Sequence, residues 1–251
     1  MPRMTLLEIT QDVLSDMESD EVNSINDTVE ALEVAQIVKS TYFNLIDGRD
    51  WPHLYRFFQL TASGNANLPT YMTLPERVSD VSWIKYDCKE DGETRERYKL
   101  MVYKTPQEFM ALLDERNSDD SNILQMVEPT SSVLLNIFND KAPTYFTSFD
   151  NEHVIFDAYD LAVDTTLQTS KTQCWGKYDP TWTMEDEFIP DLPANAFSYL
   201  LNEAKSTCFL RIKQMGDTKA EQHSVTQRRR MSQKSWRVAG GITFPNYGRK
   251  K

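Results

Sequence analysis

The sequence predicts an α+β protein. Its parts are a helical bundle of N-terminal helices and a long C-terminal helix, a β-rich block inserted between them, and an extended basic C-terminal tail. Three observations predict it. Apolar residues recur at helical spacing before Gly48 and again beyond Asp191. Between them, from Trp51, short runs of β-forming residues alternate with turn residues. Basic charge collects at the C-terminal end, interleaved with Trp236, Ile242, Phe244 and Tyr247.

The first helix opens at Thr5-Leu6-Leu7-Glu8, where a hydroxyl caps the Glu8 amide and the Glu8 carboxylate reaches back. Leu6, Ile9, Val13 and Met17 give it an apolar face. Asp20 to Asn26 is a polar break. Asp27-Thr28-Val29-Glu30 opens a second helix, with carboxylates at its positive end. Its apolar band, from Ala31 to Leu45, is wide enough to pack on two neighbours, and Gly48 ends it.

Strands are expected at Leu54–Leu60, Thr70–Leu74, Ser82–Asp87, Tyr98–Tyr103, Ile123–Val127, Val133–Phe138, Tyr145–Phe149, His153–Phe156 and Asp164–Thr169. Thr105-Pro106-Gln107-Glu108 opens a helix among them. A connector with three prolines runs from Asp179 to Pro193. A long helix follows, with Phe197, Leu201, Ala204, Cys208, Ile212 and Met215 in one stripe, reaching past Gly216 to about Arg230. The expected divisions are 1–50, N-terminal helices; 51–178, β-rich insertion; 179–230, connector and long helix; and 231–251, extended tail.

Composition limits the function classes. At 40% hydrophobic and 26% charged residues, the chain can build a globular core. No apolar run approaches the roughly 18 residues that span a bilayer, and the N-terminus lacks the unbroken apolar core of a secretory signal. The expected compartment of folding is therefore a cytoplasm. Three cysteines, Cys88, Cys174 and Cys208, without CxxC spacing, favour reduced thiols over a disulfide framework or a zinc site. Net charge is −11 and unevenly placed: Glu203–Lys251 holds 12 basic and 3 acidic residues, residues 1–202 hold 15 and 35. Such a split suggests an end with a partner of its own, either an acidic protein or a nucleic acid.

Catalytic signatures are missing from the sequence. No glycine-rich phosphate loop, HExxH pair or G-x-S-x-G elbow occurs, and His53, His153 and His223 have no metal-ligand spacing. Asp157, Asp160 and Asp164 form the best carboxylate group, suited to a divalent cation or to acid–base work. Turn and cap carboxylates are the favoured reading. Trp175, Tyr178 and Trp182 suggest a stacking platform or, more in keeping with aromatics, packing. The expectation is no enzyme, no cofactor and no metal.

The basic end is the strongest candidate site. Arg228, Arg229, Arg230, Lys234, Trp236, Arg237, Phe244 and Tyr247 combine arginine with large apolar anchors, as buried interfaces do. Single-stranded nucleic acid would also suit that combination.

Leu200-Leu201-Asn202-Glu203-Ala204-Lys205-Ser206-Thr207-Cys208-Phe209, Lys213-Gln214, Lys219-Ala220-Glu221-Gln222 and Arg228-Arg229-Arg230 resemble the end of neck proteins in tailed phages. So do Thr147-Ser148-Phe149-Asp150, Phe156-Asp157-Ala158-Tyr159-Asp160 and Thr166-Leu167-Gln168-Thr169-Ser170-Lys171. The family is the podovirus head-to-tail adaptor, similar in role to tail tubular protein A, and the likeness covers roughly residues 140–237. It implies a structural virion protein: a ring of about twelve copies between the capsid portal and the tail tube or nozzle, closed by heterologous contacts. It also implies a C-terminal extension docked on the portal, and genomic DNA passing through the lumen without specific binding or a membrane partner. The long-helix stripe, Phe197 to Met215, is then the expected subunit interface. A nucleic-acid-binding protein using residues 205–251 is the competing reading.

Overall fold

The computed structural model describes residues 3–90, 92–214, 216 and 218–233, with backbone only from Arg230 to Gln233. Among the described residues it is α+β, with helices at both ends and three sheets in the middle. The chain divides into two compact units: residues up to Leu54 with those from Pro180 onward, and Tyr55–Asp179.

The first unit is helical: α1 (Leu6–Asp16), α2 (Val29–Asp47), α4 (Phe197–Arg211) and α5 (Thr218–Gln233). Thr5 and Glu8 complete the capping box of α1: Thr5 Oγ1 accepts from the Glu8 amide at 3.1 Å, and Glu8 Oε2 accepts from the Thr5 amide at 2.8 Å. The core of the unit joins Leu6, Ile9 and Val13 of α1, Val34, Val38 and Tyr42 of α2, and Phe197, Leu200, Ala204 and Cys208 of α4. Lys205 ties α4 to α1, with its ammonium 2.8 Å from Asp12 and 2.5 Å from Asp16. Burial pushes the Lys205 pKa down, but the two carboxylates outweigh it and the pKa is raised. The proline-rich connector belongs to this unit. Its Phe188 carbonyl accepts from the Leu6 amide at 2.7 Å, and Trp182 packs on Tyr42 and Phe188 at 5.1 and 4.8 Å between ring centroids.

The expected single long C-terminal helix is corrected to two. Gln214 takes φ +55°, which ends α4 and reverses the chain, and α5 packs back on α4. Ser224 Oγ donates to Glu203, and Gln227 Nε2 donates to the Ser198 hydroxyl. Apolar periodicity through Met215 concealed the break, because a helix and its turn can share one stripe. The helix also begins at Phe197, not at Asp191 or Pro193. The expected extended tail, 231–251, is corrected at its start, where residues 231–233 continue α5; 234–251 lie outside the described residues.

The second unit holds β1 (Tyr55–Phe58), β2 (Thr61–Ala62), β3 (Tyr71–Thr73), β4 (Val78–Asp87), β5 (Tyr98–Leu100), β6 (Val102–Tyr103), α3 (Pro106–Asp114), β7 (Ile123–Val127), β8 (Leu134–Phe138), β9 (Tyr145–Thr147), β10 (His153–Phe156) and β11 (Thr172–Tyr178). The sheets run β1-β11-β4-β5, β2-β3-β10-β9-β6, and the hairpin β7-β8. Their shared core includes Leu60, Met72, Ile84, Phe109, Leu113, Ile137, Phe156 and Cys174. The expected strand Asp164–Thr169 does not form; that stretch is irregular, with a bend, and leads into a short 3₁₀ segment. The strand is β11 instead, central in its sheet. Gly176 sits at its bulge, where a Cβ would come within 2.3 Å of the Asp80 carbonyl, so no larger residue fits there without a shift.

Candidate functional site

The stripe assigned to subunit contact serves the chain's own core. Phe197, Leu201, Ala204 and Cys208 are buried against α1 and α2, and Ile212 packs on that core from its edge. Met215 lies outside the described residues. For Phe197, Leu201, Ala204 and Cys208 the neighbours are helices of the same chain, so these four side chains serve its own core.

The basic segment begins on a helix. Arg228 and Arg229 are exposed on α5, and Arg230 continues it. Lys234, Trp236, Arg237, Phe244 and Tyr247 lie outside the described residues. Arg228 borders a groove of about 550 Å³ shared by α2, α4 and α5, with Arg49, Arg211, Tyr199 and Glu203 along it. The Arg49 guanidinium lies over the Trp51 ring at 4.9 Å, and the indole is fixed by donating to the Leu45 carbonyl at 3.0 Å. Burial raises the Tyr199 pKa, Glu203 adds to the rise, and Arg228 opposes it. Positive charge thus starts on the exposed surface of α5.

The three aspartates are not one site. Asp157 is buried: its Oδ1 accepts from the amides of Thr144 and Tyr145 at 2.9 and 2.8 Å, and its Oδ2 pairs with Arg116 at 3.1 Å. Arg116 also donates to the carbonyls of Asn136 and Asp157 at 2.9 and 2.7 Å and lies over the Phe138 ring at 4.1 Å. Asp160 accepts from the Ala162 amide, and Asp164 pairs with Lys171 at 2.5 Å. Among the described residues no group of three His, Cys, Asp or Glu side chains is placed to hold a metal ion. The aromatic trio is likewise divided. Trp175 and Tyr178 lie on β11, with Tyr178 against Phe58, whereas Trp182 belongs to the helical unit.

His53 Nε2 lies 2.8 Å from the Asp191 carbonyl and His153 pairs with Asp150 at 2.6 Å; His223 is exposed on α5. All three thiols are buried. Burial pushes Cys174 and Cys208 up to about 12 and raises Cys88 as well. Native protein is expected to resist a thiol-specific dye that labels all three cysteines in denaturant. Well below pH 9.0 folded and unfolded thiols are both neutral. Between 9.0 and about 12 the unfolded Cys174 and Cys208 ionise first, so stability falls as pH rises through that window. Urea titrations at pH 8 and above 9 measure the fall, and a Cys208→Ala variant should lose part of it.

Sequence reading missed one surface: Tyr55, Phe57, Trp83 and Trp175 share the outward face of the β1-β11-β4-β5 sheet. The signal was present in β11, where Thr172 and Cys174 alternate with Gln173 and Trp175.

No protein-family model matches the chain, and no curated protein sequence matches it. Among the described residues no helix is long and apolar enough to cross a membrane.

Proposed function

We propose that the chain is a structural virion protein, a head-to-tail adaptor that forms an oligomeric ring joining a portal to a tail and lets DNA pass. The observation that carries this reading is the division of charge: an acidic body, and a basic segment that begins on the exposed face of α5 and runs to Lys251 with no acidic residue after Arg228. A carboxylate-rich channel wall repels phosphate and keeps DNA from sticking. A basic end with aromatic anchors suits an acidic portal surface. The resemblance over residues 140–237 points the same way.

Cutting after Gln233 keeps α5 whole while removing the anchors Trp236, Phe244 and Tyr247. The full chain is expected to co-sediment with its virus's portal, and the truncated chain to lose most of that binding. Retention on DNA that weakens steeply between low and moderate salt, with no portal binding, would instead favour the nucleic-acid reading.

A further inference from the structure

With the α4 stripe committed to the chain's own core, a self-contact needs another surface, and the second unit carries two. On β1, β11 and β4, Phe57, Trp175 and Trp83 stand directly opposite one another. The Phe57 ring lies 4.6 Å from Trp175 and 5.9 Å from Trp83, and Tyr55 lies 6.3 Å from Trp175. Their sequence neighbours Phe58, Cys174 and Ile84 fill the core, so the outward row adds nothing to it. Phe57 is 71% exposed, and Leu100, 59% exposed, extends the apolar surface opposite Lys85. The border is polar: Lys85, whose ammonium lies 4.9 Å over Trp83, with Gln173, Lys177 and Asp80. An aromatic centre inside a polar rim is the anatomy of a protein contact. Phe57 stands edge-on to Trp175 and Trp83 at 61° and 70°, although Tyr55 stacks on Trp175 at 23°; the projecting Phe57 ring leaves ridges and clefts for branched side chains and breaks up a flat platform for a sugar or base.

The second surface is the tip of the β7–β8 hairpin. Val127 and Leu134 face each other there, 51% and 53% exposed, with Val133 beside them. Their neighbours Met126 and Leu135 are the buried pair. Two unlike apolar patches on one unit fit a heterologous contact, in which one copy's tip meets the next copy's face and the chain of contacts can close. Charge agrees. Residues 55–179 carry 12 basic and 20 acidic residues, whereas the aromatic face is bordered by two lysines and one aspartate. For a second, equally acidic copy that face is a favoured landing site.

We propose that the aromatic face formed by Tyr55, Phe57, Trp83 and Trp175 receives the hairpin tip, Val127 to Leu134, of a second copy. This rests on the ring reading and names the surfaces of its self-contact. The test uses full-length Phe57→Asp and Leu134→Asp chains, alone and mixed, by size exclusion with light scattering. Both positions are exposed, so each variant should melt with the wild type. Each alone should be monomeric, with self-association weakened at least about 100-fold. Mixed, they should form a 1:1 dimer and nothing larger, because one intact face then meets one intact tip. Wild-type-like assembly of either variant, or a mixture that stays monomeric, overturns the proposal. If the variants pair when mixed but the wild type forms no ring on the portal, the contact stands and the adaptor reading falls. If Phe57→Asp still forms rings on the portal, the reverse holds.

Discussion

Phe197→Ala is expected to cost the folded monomer about 3–5 kcal/mol, the range for emptying an aromatic site in a packed core. Phe197 opens α4, is 1% exposed, and packs in the cluster that joins α1, α2 and α4. The lost transfer energy adds to the cavity left behind, and helices held at both ends collapse into such a cavity only in part. Urea unfolding of dilute, monomeric protein measures it. A subunit-interface residue would behave in the opposite way: monomer stability would hold and assembly would fail. The substitution therefore separates the two roles that an apolar helix stripe can have, and the burial of Phe197 assigns it to the core.

Asp157→Ala is expected to destabilise the β-rich unit by about 3–5 kcal/mol, because it leaves the Arg116 charge buried without its partner. Arg116 and Asp157 side chains are 7% and 5% exposed. Burial pushes the Arg116 pKa down, and Asp157 opposes that push by charge and hydrogen bond. The two backbone amides that Oδ1 accepts, from Thr144 and Tyr145, lose their partner as well. Asp157→Asn keeps the size but not the charge and should recover only part of the loss. Replacing both residues together, as in Arg116→Met with Asp157→Leu, should cost less than Asp157→Ala alone, since no unpaired charge remains. Equilibrium denaturation of the four proteins makes the comparison. If Asp157 were instead a catalytic carboxylate, Asp157→Asn would leave stability unchanged.

How much was legible in the sequence depended on how far apart the interacting residues lie. The starts of α1 and α3 were readable because their capping boxes, Thr5 with Glu8 and Thr105 with Glu108, are set within one turn, and α2 because Thr28 caps it at Ala31. The break between α4 and α5 was not, because a left-handed Gln214 carries no glycine signal and the apolar stripe runs on to its edge. The role of Asp157 was hidden because Arg116, its partner, is 41 residues away and comes close only through β8 and β10. The strand β11 was not among the expected strands, because Gly176, which it needs at its bulge, interrupts the run of β-forming residues. For the candidate site, the residue types at the basic end were plain, and the helix expected to reach about Arg230 already carried Arg228 and Arg229; what was not legible is that they stand on a separate helix, α5. The aromatic face could not be assembled at all until β1, β4 and β11 were placed side by side.

The central claim is a ring seated on a portal, and imaging the mixture of purified chain and purified portal tests it most directly. Negative-stain class averages should show a closed ring of this chain stacked coaxially on the portal, with mass added in whole-ring steps by light scattering. Bare portals beside monomeric chain, under conditions where both are folded, would contradict the account.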